Sequence, residues 1–176
     1  MLEFLTEMPT LFPLMRGGGV FLILVGLGLF VGALGGRSWF LPALIAGAAL
    51  GVLAMAVGGA TKWIFAGIGT PGVWSWAVLA GAFLLEGFLV SRVVERVPDH
   101  TSRAFWMWML FVVGVHFLVL TLSHGPVCGL LGLVCMLNAY LGLRLTTVPY
   151  TFFWGLDGLL KIVAGSLMVW ISFGSS

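Results

Sequence analysis

"YTFFWGLDGLLKIVAGSLMVW", residues 150–170, is a long apolar run into which Asp157 and Lys161 are set four positions apart. A run of this length covers the hydrocarbon core of a bilayer, which takes about 20 residues in a helix. A charge near the middle of such a helix costs about 2.5–3.5 kcal/mol on insertion scales unless it faces water, a partner or a bundle interior. Residues i and i+4 lie on one helical face, and the acid-first order is the one that favours an ion pair. The stretch therefore predicts a membrane helix with an inward polar face, and so requires other helices around it.

The rest of the chain supplies them. Of its 176 residues, 61% are hydrophobic and 8% are charged, with a mean hydropathy of +1.17; an ordinary soluble domain carries about 25% charged residues. Further apolar stretches over residues 18–36, 40–60, 72–91, 105–123 and 125–143 precede the last, over 150–172. The links between them, such as "GRSW", "SHGP" and "RLTTVP", are short enough to make sequential helices antiparallel neighbours. The expectation is an all-α polytopic membrane protein, a single transmembrane domain over 1–176 folded as a compact up-down bundle of six transmembrane helices. The opening "MLEFLTEMPTLFPLM" has Glu3 and Glu7 but no basic n-region, so it does not read as a cleaved signal peptide. Its mixture of polar and apolar residues around Pro9 and Pro13 fits an interfacial segment over 1–15.

Basic residues suggest an orientation. Arg37, Arg92, Arg96, Arg103 and Arg144 fall in links on one side, Arg16 and Lys62 on the other. The positive-inside rule places the first set in the cytoplasm and both termini outside. Trp63, Trp74 and Trp76 on the outer side, with Trp39, Trp106, Trp108 and Trp154 toward the inner side, read as interfacial anchors. Small residues mark close packing: Gly28, Gly32 and Gly36 in the first span, and Ala43, Gly47, Gly51 and Gly58 in the second, have the spacing that lets helix backbones approach. Packing of the two spans on each other is the first reading, and contact with a second copy or a membrane partner through these glycines the other.

Chemistry-bearing residues concentrate in the last four spans. Glu86 lies in "AFLLEGFLV", His116 in "VVGVHFLVL", Asn138 in "VCMLNAYLG", and Asp157 and Lys161 in the opening stretch. At about 1.5 Å of rise per residue, Glu86, Asn138 and Asp157 fall about 8–10 Å from the cytoplasmic side and His116 and Lys161 about 16 Å, predicting two polar layers. Two carboxylates face one lysine, so charge balance needs a protonated carboxyl or a protonated His116. That imbalance makes proton exchange within the cluster the expected chemistry. Structural readings stand beside it: a self-neutralising Asp157–Lys161 pair, a hydrogen-bonded His116, and Asn138 as interhelical glue.

Other classes of function find little support. Cys128 and Cys135 are seven apart in one helix, about 10 Å along its axis, so they read as packing residues and not as a disulfide. His100 and His124 fall at opposite ends of the bundle and cannot join His116 in a metal site. Catalytic triads, HExxH, GxSxG and phosphate loops are absent from the sequence, so no catalytic residue, metal or cofactor is assigned and an enzyme is disfavoured. A net charge of +2, with scattered basic residues, excludes a nucleic-acid partner. The partners to expect are the lipid bilayer and a small-molecule or ion ligand.

The run "VGVHFLVLTLSHGPVCGLLGLVCMLNAYLGLRLTTVPYTFFWGLDGLLKIVAG" resembles the C-terminal portion of a family of small, functionally uncharacterised bacterial multi-helix membrane proteins. The matching residues are Gly114, His116, Phe117, Ser123, Gly125, Asn138, Pro149, Asp157, Gly158 and Lys161; Glu86 lies outside the resemblance. The resemblance implies a multi-pass protein of the bacterial cytoplasmic membrane and no particular activity. In size and helix count the chain also looks like the substrate-capturing components of vitamin transporters, whose motifs it lacks. The functional expectation is a small transporter or channel in which Glu86, His116, Asn138, Asp157 and Lys161 bind a small solute or relay protons. The alternative is a non-catalytic accessory or assembly subunit of a membrane complex.

Overall fold

The computed structural model describes residues 2–56, 62–64, 66–67 and 70–173, and no strand occurs among them. The helices are α1 (Leu2–Leu11), α2 (Met15–Gly35), α3 (Arg37–Ala56), α4 (Val73–Arg96), α5 (Arg103–His124), α6 (Pro126–Arg144) and α7 (Tyr150–Phe173). Six of them, α2 to α7, are long and apolar enough to cross a membrane. The tail of the expected second span, 57–60, and with it Gly58, lies outside the described residues.

Local chemistry sets the breaks. Between α5 and α6 the chain turns at Gly125, whose φ of +89° favours glycine, and Pro126 then opens α6, where its missing N–H costs no helical bond. The α5 start is capped by Ser102, whose hydroxyl accepts the Phe105 N–H at 3.2 Å.

The helices lie in the spatial order α3, α2, α7, α6, α5, α4, as their contacts show. This differs from the expected chain of sequential neighbours: α3 and α4 follow each other in sequence yet share no substantial contact, and the most extensive contact joins α2 to α7. Glycine explains the closure. A Cβ placed on Gly26 would lie 2.6 Å from the Gly158 carbonyl oxygen, and one on Gly19 would lie 2.7 Å from that of Gly165. The two pairs are one heptad apart on each helix and run in opposite directions, so α2 and α7 meet backbone to backbone along an antiparallel seam.

The glycine and alanine spacing in the first two spans also serves contact within the chain. A Cβ on Gly28 would fall 2.5 Å from the Ala43 carbonyl oxygen, and Gly32 and Gly47 are similarly close to α3 and α2. Gly51 packs under the Phe21 ring, while Gly36, with φ +78°, ends α2. Helix α1 rests against α7 and sends Met8 into a core shared with Met15, Phe117, Cys135 and Met168.

Candidate functional site

With Gly158 and Gly165 committed to α2, the adjoining face of α7 turns Asp157 and Lys161 toward α5 and α6. Both are fully enclosed, at 0% and 2% side-chain exposure, and Lys161 Nζ donates to Asp157 Oδ2. The ammonium lies 5.3 Å from the centre of the Phe117 ring on α5, within cation–π range. Cys135 on α6 borders the same carboxylate.

The second pair lies one helix further out. His116 Nδ1 on α5 lies 3.1 Å from Glu86 Oε2 on α4 and also 3.1 Å from the Ala82 carbonyl oxygen. Because a carbonyl oxygen can only accept, this geometry assigns the ring proton to Nδ1. His116 is buried, whereas Glu86 keeps 25% of its side chain exposed. The two pairs meet on α5, where His116 is followed by Phe117, the residue whose ring faces the Lys161 ammonium.

Asn138 on α6 donates from Nδ2 to the Phe153 carbonyl oxygen at 2.8 Å, joining α6 to α7. The five residues named from sequence thus lie between α4 and α7, with one of them at a different level from that expected. Glu86 belongs with His116, because α4 continues to Arg96 and so sets Glu86 ten residues, about 15 Å, from that end of the helix. Asp157 and Lys161, paired along α7, join the two levels.

Several residues escaped the sequence reading. Trp154, expected to anchor at the interface, is 3% exposed and has the Phe40 and Trp106 rings against its indole. It faces inward because it lies one turn from Gly158 and two from Lys161, on the buried side of α7. Trp39, Trp63, Trp74, Trp76 and Trp108 are exposed, as anchors should be.

Arg16, which in the sequence bears only on orientation, is 3% exposed. It donates to the Ser172 hydroxyl (3.0 Å) and carbonyl (2.6 Å) and to the Trp63 and Ala66 carbonyls (3.3 and 3.0 Å), and lies over the Phe173 ring. It closes the C-terminal end of α7, where unpaired carbonyls and the helix dipole favour a cation. Arg103 does the same for the end of α6, donating to the Gly142 and Val148 carbonyls. His124, buried beside Gly18, exchanges a hydrogen bond with the Ser123 hydroxyl at 2.8 Å. No group of three or more His, Cys, Asp or Glu side chains able to hold a metal occurs among the described residues.

Residues 6–175 match a family of unknown function, DUF6609. The chain belongs to that family. The match runs from within α1 to beyond Phe173, the last residue of α7, so both ion pairs, Asn138 and the two capping arginines lie inside it. No curated protein and no solved structure matches the chain.

Proposed function

We propose that this member of DUF6609 is a small transporter or channel of the bacterial cytoplasmic membrane, moving protons or a proton-coupled small solute through the polar interior of α4 to α7. The observation that carries the reading is two ion pairs at depth on adjoining helices, the enclosed Asp157–Lys161 pair and the partly open Glu86–His116 pair, joined by Phe117, which follows His116 and sets its ring against Lys161. Charges at such depth are costly, and in membrane bundles they mark ion and proton pathways. With His116 protonated, both pairs are neutral overall. Passing that proton to Glu86 replaces a charged pair with an uncharged one over 3.1 Å. The Ala82 carbonyl favours the state in which Nδ1 keeps it. Glu86, at the partly open edge, is the group through which a proton or solute enters.

Reconstitution into liposomes carrying a pH gradient tests this. The protein should dissipate the gradient faster than protein-free vesicles, and Glu86→Gln and His116→Ala, if folded, should slow it toward that background. A rate equal to protein-free vesicles for the parent protein overturns the reading.

A second reading, an accessory subunit, is favoured by one observation: α3 and α4 each pack substantially on only one helix and leave broad apolar faces, including Ile45, Leu50, Leu84 and Phe88, on the outside. Co-purification of stoichiometric partner subunits from the native membrane, with no ion flux, would favour it.

A further inference from the structure

Three buried polar atoms on α6 and α7 have no hydrogen-bond partner among the described residues: Asn138 Oδ1, Trp154 Nε1 and Asp157 Oδ1. Buried polar atoms are paired in the great majority of cases, and each exception calls for an explanation. Here the three exceptions belong to residues on adjoining turns of two packed helices. Trp154 and Asp157 are three residues apart, hence on one face of α7 and one turn from each other. Asn138 is tied to that same turn by its bond to the Phe153 carbonyl. That bond also fixes which end of the amide is which, since a carbonyl can only accept; the atom left over is the oxygen.

We propose that α6 and α7 enclose a site for one water-sized molecule that donates hydrogen bonds to Asp157 Oδ1 and Asn138 Oδ1 and accepts one from Trp154 Nε1. Two acceptors and one donor match water, which makes about three bonds when buried. A metal cation or ammonium cannot accept the indole hydrogen. A halide cannot donate to either oxygen, and any anion would meet the Asp157 carboxylate. The other Asp157 oxygen is held by Lys161, so the bound molecule joins the ion pair to the tryptophan and asparagine on the side nearer Tyr150. Its role, a step by which a proton reaches the pair from that end of α7, rests on the transport reading above; its existence does not.

The test is an experimental structure of the unmodified protein at a resolution that shows ordered water, together with NMR of the tryptophan indole groups in detergent, the Trp154 signal being assigned with Trp154→Phe. A density peak within hydrogen-bond distance of all three atoms, with a cross-peak between the Trp154 Nε1 hydrogen and water despite the buried ring, is the expected result. Weakening of that cross-peak in Asn138→Leu would support the shared site. Direct pairing of the three atoms with one another, a Cys135 thiol that donates to Asp157 Oδ1 in place of the bound molecule, or a Trp154 indole hydrogen that contacts protein protons only, overturns the proposal. The water peak can be present in a protein that moves no protons, so failure of the flux assay and failure of this site are separate outcomes.

Discussion

Asp157 and Lys161 form the most enclosed ion pair among the described residues. Removing one member of a buried pair strands the other charge, at about 3–5 kcal/mol, whereas replacing both with apolar or neutral groups is often close to neutral. Asp157→Asn and Lys161→Met should each lower the melting temperature sharply in detergent, and the double variant should recover most of that loss. Recovery of stability without recovery of proton flux is expected if the pair works in transport. Recovery of both would remove this pair from the pathway. Arg16 differs from the pair in having only hydroxyl and carbonyl acceptors among its described hydrogen bonds. Hydrogen bonds to charged groups contribute about 1.5–3 kcal/mol, so Arg16→Met should destabilise by at least that much. Arg92→Met, which loses an exposed pair with Glu95 and a contact over the exposed Phe88 ring, should cost about 0–1 kcal/mol. Comparable losses in chemical-denaturation midpoints for the two would contradict the capping role of Arg16.

Among the elements, the α2–α7 seam makes the sharpest prediction, because it separates glycines that cannot accept a methyl group from glycines that can. Gly26→Ala or Gly158→Ala would drive a Cβ into a facing backbone carbonyl at 2.6 or 2.7 Å and should lower stability measurably. At Gly81 and Gly87 on α4 nothing lies within 4 Å of the added carbon. Alanine there should be neutral or stabilising by up to about 1 kcal/mol, the helix-propensity difference between the two residues. A Gly26→Ala protein that melts with its parent would mean that α2 and α7 do not meet at this seam. The α2–α3 spacing is legible in the sequence, and this seam is not. Gly19 and Gly26, like Gly158 and Gly165, are seven apart, and small residues at that spacing are common in apolar helices without indicating which helix they meet.

Over the whole molecule, the spatial order of helices assigns different stabilities to its parts. Helices α2, α5, α6 and α7 share the interior, while α3 and α4 bury the least of themselves. Local opening follows buried contact, so backbone amides of α3 and α4 should exchange hydrogen faster in detergent than those of α7; uniform exchange across all six would contradict this arrangement. The proposed orientation is open to cysteine labelling at Thr10 and Ser102. Cys128 and Cys135 are buried and should not interfere. Thr10 reached from outside and Ser102 only after permeabilisation is the expected result, and the reverse pattern would invert the topology.

The sequence by itself determined that the chain is a set of apolar helices and where most of them start and stop. Length, hydropathy and the punctuation at Gly125–Pro126 are local properties, and they survive whatever the helices pack against. It also identified Asp157 and Lys161 as partners, since a separation of four on one helix needs no knowledge of any other. Only the tertiary structure decided that Glu86 reaches His116, that Trp154 turns inward, that Arg16 closes the end of α7, and that α7 lies against α2 and away from α3. Each depends on which faces meet across helices far apart in the chain. Among helices that are apolar on nearly every face, hydrophobicity does not make that choice. Backbone approach at a few glycines and the hydrogen bonds of a few buried polar groups do.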